Sequence, residues 1–240
     1  MTIDINGHHI TIDNIDPFLM LTHLGDKVDK KIINEIATPD FSIVVKPSRK
    51  PNFTTKEGDY IIIIRKDNGE EITLDMPHRG AKMFYLLTLL CQKAVGGLTN
   101  KYFSNERAAA IFTSLYNKIY RSGGEQWVAN CAEKSHNLST FRTHANKAVE
   151  DNQVLSTIIR YWCGIEGEKR TIGKNQLQLR RIRISDDRIL FEDSNKKSVS
   201  FEQLLEELPP LEDLFGYKNK ITERIRELRM KKTKGLYPHS

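Results

Sequence analysis

Ser139, Thr140, Arg142, Thr143, Asn146 and Lys147 crowd into the segment Leu138-Ser-Thr-Phe-Arg-Thr-His-Ala-Asn-Lys-Ala-Val149. At a helical advance of about 100° per residue, Leu138, Phe141, Ala145, Ala148 and Val149 gather on one side. Ser139, Thr140, Thr143, Asn146 and Lys147 fall on the other, and Arg142 lies near the apolar margin as a flanking contact. The outer face is short, polar and nearly free of acid, a composition that permits close approach to phosphates and base edges. Asn146 can offer an acceptor and a donor to adenine, whereas Lys147 offers a point charge suited to phosphate. A strand-like basic run follows from Gly167 to Ile184, in which Lys169, Arg170, Lys174, Arg181 and Arg183 are candidate phosphate ligands. Alternation sets Arg181 and Arg183 on one strand face and Arg180 on the other with Ile182 and Ile184, which makes Arg180 a candidate structural residue. The combination is that of a recognition helix followed by a wing. A solvated amphipathic helix beside a charged hairpin has the same pattern and suits a protein partner equally.

Other chemistries find less support. Gly167-Glu-Lys-Arg-Thr-Ile-Gly-Lys-Asn175 resembles a phosphate-cradling loop, but its glycines are one residue too far apart and Asn175 stands where Ser or Thr must bind magnesium. His8 and His9 adjoin on a strand and point to opposite faces, so they cannot chelate one ion. His78, His136 and His144 have no His or carboxylate partner at the helical i, i+4 spacing. Asp186-Asp187 and Glu192-Asp193 would serve a nuclease only if brought together with another acid on a sheet. No Gly-x-Ser-x-Gly signature is present. The expectation is therefore no enzyme, no metal and no cofactor.

The chain has 240 residues, 39% hydrophobic and 28% charged, with a formal net charge of +6. This suffices for a core and favours an anionic partner where the charge concentrates. Between Arg160 and Glu192, eight basic residues accompany five acidic ones, and the stretch from Lys218 to Lys234 is more basic still. Cys91, Cys131 and Cys163 are isolated among apolar or aromatic neighbours and read as buried thiols in a reducing compartment. The first residues alternate apolar and polar without a signal-peptide pattern, and the run from Met83 to Cys91 is too short to span a bilayer. These features predict a cytoplasmic protein that does not engage a membrane.

Positioning these residues requires an ordered set of elements. Ile3, Ile5, Ile10 and Ile12 flank Asn6-Gly7 as a small hairpin, and Asp16-Pro17 opens a helix running to about Ala37. Tyr60 to Arg65 and Glu71 to Leu74 predict a second hairpin about Lys66-Asp-Asn-Gly69, its four isoleucines suggesting a strand covered on both faces. Helices are predicted from Ala81 to Lys93, from Ser104 to Arg121 and from Leu138 to Glu150, with Ser122-Gly-Gly124 ending the second. Ile158 to Cys163 is read as a strand pairing with Gln176 to Ile184, and further helices cover Phe201 to Leu208 and Thr222 to Lys232. Phe141 and Leu87 fall inside one three-helix core. The expected organisation is an N-terminal hairpin and helix extension over 1–58, a main domain over 59–193, and a C-terminal helical extension with a basic tail over 194–240.

The order of the central elements resembles the winged-helix effector domains of bacterial response regulators. Tyr60 to Leu74 matches the leading sheet, Ala81 to Lys93 and Ser104 to Arg121 the first two helices, Leu138 to Glu150 the recognition helix, and Tyr161 to Ile184 the wing. The likeness covers about Asp59 to Phe191 and rests on order and patterning. Phe141-Arg142 stands where the family carries Leu-Arg, and Gly173-Lys-Asn replaces its Gly-x-Gly-Tyr turn. The Leu-rich helix and its successors are also similar to a group of bacterial proteins sharing these helices and the hairpin. The resemblance implies an α+β fold with a winged-helix-like three-helix core, a leading β-hairpin and a basic β-wing. Its implied activity is non-catalytic DNA binding, in the manner of a transcription regulator. The alternative is a protein–protein interaction module, or a homodimer, on the same fold.

Overall fold

The structure, a computed structural model, describes residues 2–5, 8–11, 39–47, 60–133, 135–192 and 200–215, with backbone alone for 2–5, 8–11 and 135–136. Strands β1 (Thr2–Ile5) and β2 (His8–Thr11) pair antiparallel with Ile3 opposite Ile10, the arrangement expected around Asn6-Gly7. The helices expected over 16–37 and 222–232 lie outside the described residues.

A sheet of four strands, ordered β5-β4-β3-β8, forms one wall of the fold. It consists of β3 (Phe41–Pro47), β4 (Tyr60–Lys66), β5 (Glu71–Thr73) and β8 (Ile189–Phe191). Ile43 lies opposite Ile64 and Val45 opposite Ile62 across the β3/β4 ladder, and this face enters the core. Ile63 and Val44 alternate to the other face and are buried too, so β4 is covered on both sides as its isoleucine run predicts. β8 joins parallel to β3, with Ile189 beside Ile43. Parallel neighbours need a long crossover, and here most of the described helices and the basic hairpin lie between them. The division expected at residue 58 therefore cuts a continuous sheet, in which β3 is an interior strand that the extension itself supplies.

Helix α1 (Arg79–Val95) is the central strut. Met83, Phe84, Leu86, Leu87, Leu90 and Cys91 are buried as its periodicity predicts, and Tyr85, Leu89 and Gln92 are buried on its remaining sides. Each fully buried large apolar side chain contributes about 1.5 to 3 kcal/mol, so this helix anchors much of the core. His78 caps its start, Nδ1 accepting from the Ala81 N–H at 3.2 Å. Gly96, at φ 86°, ends it in the left-handed conformation that glycine accepts without strain.

Helix α2 (Glu106–Tyr120) is capped by Asn105, because Ser104 closes the 3-10 turn Asn100–Ser104 that precedes it. Ser122-Gly-Gly124 forms a tight corner into α3 (Gly124–Glu133), which carries Trp127, Val128 and Cys131 inward. Helix α4 (Ser135–Glu150) then packs across α1, burying Leu138, Ala145 and Val149. Phe141 sits at the margin of this core, half-buried against Trp127 with ring centroids 6.0 Å apart.

The segment expected as a strand before the basic run is helix α5 (Thr157–Cys163), capped by the Ser156 hydroxyl and burying Ile159, Trp162 and Cys163. The hairpin is formed instead by β6 (Ile165–Ile172) and β7 (Asn175–Ile182), which turn at Gly173, φ 58°. Helix α6 (Phe201–Glu207) packs against α1 and the sheet, the Phe201 ring centroid lying 4.7 Å from those of both Tyr60 and Phe191. The architecture is mixed α+β. Among the described residues no helix is long and apolar enough to cross a membrane.

Candidate nucleic-acid interface

A pair of hydrogen bonds joins α4 to the hairpin, and a neighbouring arginine marks the rest of the site. The Asn146 amide donates from Nδ2 to the Ile165 carbonyl at 3.1 Å and accepts from the Ile165 N–H at Oδ1, 2.8 Å. One turn earlier, Arg142 Nη1 lies 3.9 Å from the point where a Cβ on Gly167 would sit. One turn of α4 thus spans about two residues of β6, the two running in opposite directions. Asn146, expected to read a base, spends its hydrogen-bonding groups on this seam.

The hairpin register sorts its charges. Gly167 pairs with Arg180, Lys169 with Gln178 and Ile165 with Ile182, and these residues share the face turned towards α4. Glu166, Glu168, Arg170, Leu177, Leu179 and Arg181 share the opposite face. There the cations are neutralised: Arg181 reaches Asp186 at 2.8 Å and Glu168 at 3.5 Å, and Arg170 reaches Glu168 at 3.5 Å. Arg183, just past the strand, pairs with Glu166 at 3.3 Å, donates to the Tyr161 carbonyl at 2.8 Å and stacks its guanidinium over the Tyr161 ring. Arg181 and Arg183, expected to bind phosphate, are therefore held in place by the protein's own acids.

Arg180 behaves in the opposite way. It has no carboxylate partner among the described residues, and its Nη1 is buried without a hydrogen-bond acceptor. Burial first, and then the nearby Arg142 charge, push the Arg180 guanidinium pKa downward, although an arginine stays charged in proteins. Arg180 was expected to be structural because its strand face is shared with Ile182 and Ile184. That its strand face carries no acid depends on cross-strand register, which local sequence does not display.

The remaining candidates spread around α4. Ser139, Thr140 and Thr143 are exposed on its outer side, with the Thr143 hydroxyl donating to the Ser139 carbonyl at 3.0 Å. Lys147 is exposed towards the opposite flank, where His144 stacks on His78 with ring centroids 4.8 Å apart. The width of the helix separates Lys147 from the hairpin cations. Lys169 and Lys174 are exposed on the hairpin, Lys174 in its turn. Among the described residues no cluster of three or more His, Cys, Asp and Glu is placed to hold a metal. Burial raises the thiol pKa of Cys91, Cys131 and Cys163, that of Cys131 to about 12, leaving all three as poor nucleophiles.

Comparisons with protein-family models, curated proteins and solved structures returned no match.

Proposed function

We propose that this chain is a non-catalytic DNA-binding protein of winged-helix-like design, with α4 as its recognition helix and β6/β7 as its wing. The observation that carries the reading is the segregation of charge on the hairpin. Both of its glutamates lie on the face where they neutralise Arg170, Arg181 and Arg183, while the face towards α4 carries Arg180 and Lys169 with no acid. Beside it stands the outer side of α4, where Ser139, Thr140 and Thr143 are exposed and Glu150, in the last turn, is the one acid of the helix. Such a surface suits the phosphate backbone, and it holds fewer groups able to discriminate bases once Asn146 is engaged with Ile165. Regulation of transcription is the role consistent with such a module.

The test is fluorescence anisotropy of the full chain with a random-sequence DNA duplex across a salt series. Binding at low salt is expected, with log K falling linearly in log salt, and Lys169→Gln or Lys174→Gln should each reduce that slope by about one unit if the side chain contacts a phosphate. Absence of retention at any salt concentration would shift the reading to a protein partner on the same surface.

A further inference from the structure

On the hairpin face turned towards α4, two nitrogen donors lie close to Gly167 and Arg180 stands on the same face, with no carboxylate paired to any of them among the described residues. Arg142 Nη1 and Gln178 Nε2 lie 3.9 and 2.6 Å from the position a Cβ would take there, and Gly167 is the cross-strand partner of Arg180. The buried Nη1 of Arg180 lacks any acceptor. Both glutamates of the hairpin point to the other face, where they are occupied. Two like charges held together with an unsatisfied donor are unfavourable in the free protein, since a buried polar group and a like-charge neighbour each cost stability. An oxyanion accepting from these donors removes both penalties at once, and the missing Cβ at Gly167 lets the Gln178 amide lie against the backbone, where it can donate outward.

We infer that Arg142, Arg180 and Gln178 form a clamp for a single phosphate group, seated over Gly167 between α4 and the hairpin. This rests on the DNA-binding reading and narrows it: the phosphate is one phosphodiester of the bound strand, taken at a defined point while the exposed lysines contact the backbone more loosely. Guanidinium groups match phosphate oxygens through paired N–H donors, a geometry that Lys cannot reproduce. Binding at the clamp also ties the recognition helix to the wing. The ligand therefore stabilises the fold, and the free protein is less stable than it would be with an apolar side chain at position 180.

The experiment pairs thermal unfolding with binding, using the full chain, Arg180→Met, Arg142→Gln and Gly167→Ala. The probes are inorganic phosphate at constant ionic strength and a random-sequence duplex. Wild-type protein is expected to gain thermal stability with either probe. Arg180→Met should melt about 2 °C higher than wild type without ligand, as removal of roughly 1 kcal/mol of strain gives in a chain of this size. It should lose the phosphate-induced rise and bind duplex about tenfold more weakly, with a salt slope smaller by about one unit. Gly167→Ala keeps both charges and displaces the Gln178 amide, and Arg142→Gln, at a half-exposed position, keeps the core intact; both should lose the phosphate-induced rise. The clamp is overturned if Arg180→Met melts lower than wild type, if any of the three variants keeps the phosphate response, or if wild type has none. Duplex binding that is equal in wild type and Arg180→Met overturns the clamp and leaves the DNA-binding reading standing. A phosphate response confined to wild type, with no duplex bound, supports the clamp and removes the DNA-binding reading.

Discussion

Asn146 and Ile165 exchange two hydrogen bonds, the side-chain amide of one closing on the backbone of the other at 3.1 and 2.8 Å. The amide thereby continues the β6 ladder onto a helix. Ile165 is 2% exposed, so its N–H has no water to replace the lost acceptor. Asn146→Ala is expected to destabilise the protein by about 1 to 3 kcal/mol, the cost of a buried donor left unpaired. It should weaken duplex binding about equally for all sequences, because it loosens the seam and not a base contact. Urea unfolding with selection from random oligonucleotides decides: a normal midpoint with relaxed preference at one base pair would restore Asn146 as a reading residue.

Gly80 and Phe141 are in similarly close contact, since a Cβ at Gly80 would collide with the Phe141 ring. Alanine is a better helix former than glycine by about 1 kcal/mol, yet Gly80→Ala is expected to destabilise, because overpacking costs about 1 to 3 kcal/mol. Combining it with Phe141→Leu should recover part of the loss, a coupling that a double-mutant cycle measures. Phe141→Ala alone should cost less than the roughly 3 to 5 kcal/mol of a fully buried ring, because Phe141 lies at the core margin. A Gly80→Ala protein more stable than wild type would show that α1 and α4 do not meet here.

The long periodic elements were legible because their burial follows from local spacing. Met83, Phe84, Leu87, Leu90 and Cys91 reveal α1 on their own. Helix α3 was hidden by Ser122-Gly-Gly124, which resembles a terminator and is a corner: Asn117 Oδ1 accepts from the Gly124 N–H at 2.9 Å, and a Cβ at Gly124 would meet the Thr113 carbonyl at 2.6 Å. Helix α5 was misread because Ile158-Ile-Arg-Tyr-Trp has β-branched and aromatic residues in a run too short for periodicity to arbitrate; the Ser156 cap was the available signal. At the site, the residue types were legible and their pairing was not. Whether an arginine is neutralised depends on Glu168 lying beside Arg181 and Gly167 facing Arg180, both consequences of hairpin register.

Arg65 joins the sheet's edges electrostatically, reaching Glu192 at 2.6 Å and Glu71 at 2.8 Å. Glu71 also pairs with Lys46, whose hydrogen bond is the largest cause of its lowered pKa, and the Arg65 bond lowers that of Glu192. Both carboxyls fall below their ordinary value of 4.5, so their contribution is complete above that pH and is lost as pH falls through the depressed values. The groups are more than a third exposed, and solvent screening keeps the effect small. Thermal midpoints from pH 7 down to pH 3 should fall less steeply in Glu192→Gln than in wild type. Identical slopes would mean that the pair contributes nothing in solution.

Gln92 is the least expected buried residue, fully enclosed in α1 and holding the far end of the hairpin. Its Oε1 accepts from the Ile182 N–H at 2.6 Å, and Nε2 donates to the Ile184 carbonyl and to Asp186 Oδ1, both at 2.9 Å. Gln92→Leu preserves bulk but orphans the Ile182 N–H, and a loss of about 1 to 3 kcal/mol is expected. Gln92→Glu keeps the acceptor, loses both donors and sets a buried charge against three oxygens, those of the Ile182 and Ile184 carbonyls and Asp186 Oδ1, so it should be the worse variant at pH 8. Burial and Asp186 would raise that carboxyl's pKa, and protonation returns one donor. Its deficit relative to wild type should therefore shrink as pH falls from 8 to 5, whereas that of Gln92→Leu should stay nearly constant. Urea unfolding at the two pH values, with hydrogen exchange at β7, makes the comparison. A Glu variant as stable as wild type at pH 8 would show that Gln92 does not carry the hairpin.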